Sequence, residues 1–231
     1  MIIKSEAIFF ALVGGIIPAI VWLLFWLRED RKRPEPRGLI MLTFFFGMLA
    51  VPLVIPLQKI TFQQNSQFNT FLIWAILEET FKYAAAYFAA LRKKEVDEPI
   101  DPIIYMLTAA LGFAALENAL FILGPLVNGN ILESVLVGNL RFVGASLLHT
   151  ISSATIGVAL AISFFKRKAV RRAYLAMGIV FAIALHTVFN LFIIKETHSN
   201  TFVTFGFVWI AIVILMLLFE RVKKIYPVNK I

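Results

Sequence analysis

The chain has 231 residues, of which 60% are hydrophobic and 16% charged, and its mean hydropathy is +0.85. A soluble domain is about half apolar, so this excess excludes an ordinary water-soluble fold and indicates a protein solvated by lipid. Cysteine is absent, which excludes disulfides, thiolate metal ligands and a cysteine nucleophile.

Apolar runs of about 20 residues recur along the chain, the length required to cross roughly 30 Å of hydrocarbon. They predict about seven transmembrane helices, at residues 7–27, 38–57, 70–91, 102–124, 138–165, 173–194 and 202–220. The fifth is long enough to tilt or to begin with a short surface helix near Ile131. The predicted fold is therefore all-α, a polytopic membrane protein with a single domain over residues 1–231.

The basic residues are unevenly shared between the predicted loops. Of the 22 Lys and Arg residues, 17 follow the first, third, fifth and seventh spans, which accounts for the net charge of +8 without a nucleic-acid partner. Because basic residues are retained on the cytoplasmic side, we predict an N-terminus outside and a C-terminus in the cytoplasm. The chain is then a multi-pass protein of the cell membrane, with the lipid bilayer as its surroundings.

Ionisable residues lie in the middle of the third to sixth spans. A charge at the bilayer centre costs about 2.5–3.5 kcal/mol on insertion scales, so such residues usually serve a function. With their polar neighbours they are Glu78, Glu79, Lys82, Glu117, Asn118, Arg141, His149, His186 and Asn190. Counted from the outer end of each span, the two histidines, Glu78 and Glu117 are roughly 10–17 Å deep. Four helices are therefore predicted to contribute to one polar layer in the outer half of the membrane.

The spacing within each helix adds detail to this layer. Lys82 follows Glu78 by four residues and Glu79 by three, so it can neutralise either carboxylate. His186 and Asn190 share one helix face, as do Phe113 and Glu117. Arg141 precedes His149 by eight residues, which predicts a position nearer the outer surface and about 80° round the helix.

Paired carboxylates, imidazoles and an amide in an apolar cavity suit the hydrolysis of an amide bond. A carboxylate can act as general base toward water, and His and Asn side chains can donate to a developing oxyanion. An intramembrane aspartyl pair is disfavoured, because Asp30, Asp97 and Asp101 fall in predicted loops. No His-Glu-x-x-His or Gly-x-Ser-x-Gly motif is present. We expect Ser152 and Ser153 to bond to backbone or to a neighbouring helix.

Four motifs carry a resemblance to a known family. In order they are Glu78-Glu79-x-x-Lys82, Phe113-x-x-x-Glu117-Asn118, Arg141 followed by His149, and His186-x-x-x-Asn190. In these motifs the sequence resembles the PrsW family of intramembrane proteases, within the wider group of CAAX-prenyl and bacteriocin-processing proteases. Lys82 and Glu117 favour the PrsW branch, and the motif-bearing core spans residues 70–194.

The resemblance implies an endoprotease of a bacterial or archaeal plasma membrane. Its substrate would be a single-span membrane protein, such as an anti-sigma factor in stress signalling, cut near the extracytoplasmic side. By the same resemblance Glu78 or Glu79 is the base, and His149 and Glu117 complete the water site. His186 and Asn190 would stabilise the oxyanion, with Lys82, Arg141, Asn118 and Phe113 in support.

Whether this enzyme would need a metal is left open by the sequence. Family members have been described as metalloproteases, and Glu78, Glu79, Glu117, His149 and His186 could together offer zinc ligands. We favour a metal-free glutamate mechanism, because Lys82 already supplies a positive charge and the spacings match no established zinc helix.

Two other classes of function compete with the protease. Chains of Glu, His and Lys inside membranes also relay protons, as in a proton-coupled transporter. No inverted repeat is evident in the sequence, which counts against this reading. The other alternative is a non-catalytic membrane binding protein that retains the protease fold, with its ionisable residues serving as structural ion pairs.

Overall fold

The computed structural model describes residues 5–30, 33–62, 66–194 and 201–225, and the regular structure in these ranges is entirely helical. The α-helices are α1 Ser5–Leu27, α2 Arg37–Phe62, α3 Gln67–Ala86, α4 Asp101–Val127, α5 Ile131–Leu140, α6 Ser146–Ile162, α7 Lys168–Ile194 and α8 Thr201–Val222. A π-helical turn, Tyr87–Leu91, extends α3, and another, Arg141–Ala145, joins α5 to α6. The described chain therefore forms seven helical rods.

Five of these rods are long and apolar enough to cross a membrane. They are Ser5–Leu27, Arg37–Thr61, Asp101–Val127, Ile131–Ile162 and Lys168–Leu191. Of the other two, α3 carries three charged residues near its middle, and α8 is an apolar helix of 22 residues. The predicted all-α polytopic fold is confirmed. The orientation of the termini stays a prediction from the loop charges.

The central helix of the bundle is α4, whose side chains are all buried from Asp101 to Ala115. Helices α1, α2, α5 and α6 pack around it, and α3 packs against α2 and α7. Two glycines bring α2 and α4 together: a Cβ on Gly112 would lie 2.0 Å from the carbonyl oxygen of Phe44, and one on Gly47 would lie 2.1 Å from that of Ala109. Such backbone contact between membrane helices requires residues without side chains.

Acidic residues cluster where the loop after α1 meets the start of α4. The Asp30 carboxylate is buried and accepts the backbone N–H of Glu35 at 3.3 Å, while the Tyr105 hydroxyl donates to the Glu35 carboxylate. Burial raises the pKa of Asp30 to about 7, and the nearby Asp101 carboxylate acts in the same direction. Asp30 ends a 3₁₀ turn that follows α1, and Asp101 is the first residue of α4, so both aspartates lie outside the middles of the long helices.

Candidate active site

The middle of α3 supplies the acidic centre of the site. Glu78, Glu79 and Lys82 are at most 3% exposed, and their i, i+3 and i, i+4 spacing turns all three toward α6 and α7. The Lys82 ammonium contacts Glu79 at 2.8 Å and Glu78 at 3.3 Å. One buried cation therefore serves two adjacent buried carboxylates.

Both carboxylate oxygens of Glu79 take part in short hydrogen bonds. Oε1 lies 2.8 Å from the Lys82 ammonium and 2.8 Å from Nδ1 of His186, and Oε2 accepts the Ser153 hydroxyl at 2.7 Å. The side chain is 0% exposed. Since these partners lie on α6 and α7 as well as on its own helix, Glu79 links α3 to α6 and α7.

Glu78 is held in a different way. Its Oε1 accepts the side-chain amide of Gln58, from α2, at 2.9 Å. Its Oε2 lies 3.3 Å from the Lys82 ammonium, 3.5 Å from Nε2 of His186 and 3.7 Å from Nδ1 of His149. One oxygen is anchored, and the other faces two imidazoles and an ammonium at distances longer than a normal hydrogen bond.

His149, on α6, connects the Lys82 ammonium to a third carboxylate. Its Nδ1 lies 2.8 Å from the Lys82 Nζ, and its Nε2 lies 2.8 Å from Oε2 of Glu117 on α4. An ammonium can only donate, so Nδ1 accepts and the proton of the neutral ring is on Nε2, donated to Glu117. The ring also packs edge-on against Phe113 and His186, with centroids 5.4 and 5.1 Å apart.

Arg141 reaches the same Glu117 oxygen because of the π-helical turn. The Arg141 guanidinium bonds to Glu117 at 2.5 Å and to the Asn118 side-chain oxygen at 2.7 Å, and the Asn118 amide donates to Ser146 at 2.9 Å. In a regular helix Arg141 and His149 would be about 80° apart. One extra residue in the turn shifts the phase by about 100°, so the two side chains come onto nearly the same face.

His186 and Asn190 on α7 differ in their involvement. His186 is 1% exposed and donates from Nδ1 to Glu79, which directs its Nε2 toward Glu78. Asn190 is half-buried one turn further along, and among the described residues its side chain makes no hydrogen bond to the glutamates. The predicted role of Asn190 at an oxyanion stays a prediction.

The structure thus brings together nearly all of the side chains that the sequence singled out. Glu78, Glu79, Glu117, His149 and His186 form one connected network with Lys82, Arg141 and Asn118, and Phe113 lies beneath the Lys82 ammonium, 4.5 Å from it. No sequence pattern identified Gln58 or Ser146 as part of the site. Gln58 directly follows the predicted second span, and only the packing of α2 against α3 shows which residue it faces.

The charges of this network do not cancel when both imidazoles are neutral. Three carboxylates, from Glu78, Glu79 and Glu117, meet two cations, from Lys82 and Arg141. A buried uncompensated charge is costly, so the site has capacity for one more positive charge, either a proton or a bound cation.

The residues fit a metal by their donor chemistry. One ligand atom each from Glu78, His149 and His186 lies within 4.8 Å of the others. Two imidazoles and a carboxylate make up a known type of catalytic zinc site. The Lys82 ammonium contacts two of these three groups, so it would compete with a metal for them.

Comparisons with known proteins identify the family. A family model described as PrsW family intramembrane metalloprotease matches residues 35–219. The chain belongs to the PrsW protease family. Among PrsW relatives, the protease PrsW of Geobacillus kaustophilus is 31% identical over 196 residues, covering 81% of this chain and 82% of that protein. Those of Clostridioides difficile and Bacillus subtilis are 30% and 27% identical, covering 79% and 77% of this chain and 78% and 80% of theirs.

No solved structure matches the chain. Membership of the PrsW family confirms the resemblance drawn from the four motifs and makes the chain a membrane-embedded peptidase. The polar network between α3, α4, α6 and α7 is the candidate for its active site.

Proposed function

We propose that this PrsW family member hydrolyses a peptide bond of a membrane-anchored protein near the extracytoplasmic side, with Glu78 as the general base. The observation that carries this proposal is the contrast between the two adjacent carboxylates. Glu79 has both oxygens in hydrogen bonds of 2.7–2.8 Å, whereas Oε2 of Glu78 has no contact shorter than 3.3 Å among the described residues. A base must keep a lone pair available for the proton of water.

In this mechanism Glu78 takes a proton from water, and the resulting hydroxide adds to the scissile carbonyl carbon. The carbon–nitrogen bond then breaks, and the proton on Glu78 passes to the leaving amine. Gln58 holds the other oxygen of Glu78, so the base is oriented before substrate binds. His186, with Nε2 directed into the site, would donate to the oxyanion when protonated, and Asn190 would assist it.

The lysine and arginine hold the acidic groups in place during this cycle. Lys82 fixes Glu79 and the tautomer of His149, and Arg141 fixes Glu117. The net charge of the network returns to its starting value once the amine leaves with the proton. A site that carries one unpaired negative charge at rest can accept that proton without creating a new buried charge.

A zinc-dependent version of the same peptidase is the second candidate, because the ligand atoms of Glu78, His149 and His186 converge. A zinc ion bound there would polarise the carbonyl and make its bound water more acidic. In that case these three residues would hold the ion, and Glu79 and Glu117 would orient the imidazoles.

The site opens on the side of Glu117 and Arg141, whose side chains are 19% and 17% exposed, against 4% or less for Glu78, Glu79 and the histidines. The loop charges predict that this end of the helices faces outward. A single-span substrate, such as an anti-sigma factor, would therefore present its extracytoplasmic juxtamembrane segment to the site. Family membership favours this over a transporter.

The test is cleavage of single-span substrates by the purified protein in liposomes. We expect Glu78→Gln and His186→Ala to abolish cleavage, and Glu6→Gln, the same change at an exposed residue, to leave it intact. Cleavage unaffected by the first two changes would eliminate this site. Full activity after a strong chelator has removed all metal would favour the glutamate mechanism, whereas loss that zinc restores would favour the second candidate.

A further inference from the structure

A groove separates α7 from α8 on the surface of the bundle and lies outside the candidate active site. It encloses about 460 Å³ between α6, α7 and α8 and is lined by apolar side chains that include Val158, Met177, Phe181 and Leu215. The one hydroxyl midway along it, that of Thr155, already donates to backbone carbonyls of Ser152 and Gly178. Apart from Tyr174 at one end, the described lining therefore offers a ligand only apolar contacts.

One end of the groove is strongly basic. The lining begins at Tyr174 on α7 and ends at Leu218 on α8, and Arg171 and Arg221 lie three residues beyond these, on the same helix faces. Lys166, Arg167, Lys168 and Arg172 are exposed beside them. A basic rim is thus continuous with an apolar slot, and Glu220, an exposed acidic residue beside Arg221, is paired with Lys223 at 2.7 Å.

The length of the groove and the charge at one of its ends indicate its occupant. Its lining on α7 extends from Tyr174 to Leu185, which is about 16 Å along the helix. An apolar slot of this length that ends in basic residues matches an acyl chain joined to an anionic headgroup.

We propose that this groove binds an anionic phospholipid, with an acyl chain between α7 and α8 and the headgroup phosphate at Arg171 and Arg221. Basic pockets between transmembrane helices are suited to anionic headgroups. The deep end of the groove includes Ile151 and Leu185, which are close in sequence to His149 and His186. The bound chain therefore supports the two helices that carry the histidines.

The test measures lipid binding and needs no catalytic activity. Purified full-length protein in detergent is titrated with phosphatidylglycerol or phosphatidylcholine, and retained lipid is counted by native mass spectrometry. We expect preference for phosphatidylglycerol, and a loss of about five-fold for each charge removed, or about 25-fold for Arg171→Gln with Arg221→Gln. The matched control, Lys93→Gln with Lys94→Gln in another exposed basic loop, should retain wild-type affinity.

A second pair of variants tests the apolar part of the site. Met177→Trp fills the groove, whereas Val180→Trp makes the same kind of change on an exposed face of α7 outside it. Only the former should weaken phosphatidylglycerol binding. The proposal would be overturned if the protein bound both lipids equally, or if the control variants lost as much binding as the test variants. It would also be overturned if Met177→Trp weakened the binding of a transmembrane substrate peptide and left lipid binding unchanged.

Discussion

Separate replacement of Glu78 and Glu79 should show that one carboxylate serves mainly catalysis and the other mainly stability. Glu79→Gln removes one partner of a fully buried ion pair with Lys82 and disturbs contacts to His186 and Ser153. Breaking a buried pair costs about 3–5 kcal/mol of unfolding free energy. In Glu78→Gln, the Gln58 contact can be kept and the longer Lys82 contact at 3.3 Å is weakened, so we expect a loss of about 1–2 kcal/mol.

Catalysis should respond in the opposite order. A lost general base costs about 10²- to 10⁴-fold in rate, so Glu78→Gln should be inactive while it is folded and should be less destabilised than Glu79→Gln. Glu79→Gln should retain measurable turnover at temperatures where it stays folded. The assay combines cleavage of a single-span substrate in liposomes with denaturant unfolding in detergent. Wild-type turnover by Glu78→Gln, or a fully stable and inactive Glu79→Gln, would refute this division of roles.

Three further predictions concern other parts of the molecule. Gln58→Leu should lower kcat for substrate cleavage by about 10-fold or more, since it removes a hydrogen bond to a charged group, and an unchanged kcat would exclude a positioning role. For Asp30, whose pKa rises from 3.8 to about 7 on folding, the native state binds its proton more tightly, so stability falls as pH rises from about 4 to 7. The unfolding free energy of Asp30→Asn minus that of wild type should therefore be up to about 4 kcal/mol larger at pH 8 than at pH 4. The same difference at both pH values would contradict this. Gly112→Ala should destabilise the protein, because its Cβ would lie 2.0 Å from a backbone carbonyl oxygen. Gly124→Ala is the control and should not, because nothing lies within 4 Å of the added Cβ. Unfolding in detergent compares the stability of the two variants.

Much of the fold was predictable from the sequence because the bilayer imposes a single length scale on apolar runs. The helical rods follow the seven predicted spans, and the fifth begins at Ile131, as the sequence allowed. Charged residues interrupt the apolar run of α3, so its membrane span stays a prediction from the apolar residues on either side of them. Sidedness, in contrast, rests on the loop charges alone.

The membership of the candidate site was predictable, but its connections were not. Burying a charge in a membrane is costly, so Glu78, Glu117 and the histidines can be recognised as functional candidates without knowledge of their neighbours. The link from Arg141 to Glu117 depends on a π-helical turn, which regular helical spacing does not anticipate. Gln58 is a polar residue at a helix end, and only the packing of α2 against α3 brings it to the carboxylate.

Hydrolysis by Glu78 can be followed directly with isotopically labelled water. The purified protein and a single-span substrate are reconstituted together in water containing oxygen-18, and the products are sequenced by mass spectrometry. We expect one oxygen-18 atom in the new C-terminal carboxylate, at a cut in the extracytoplasmic part of the substrate, and no product from Glu78→Gln. An intact substrate, or the same labelled product from wild type and Glu78→Gln, would contradict it.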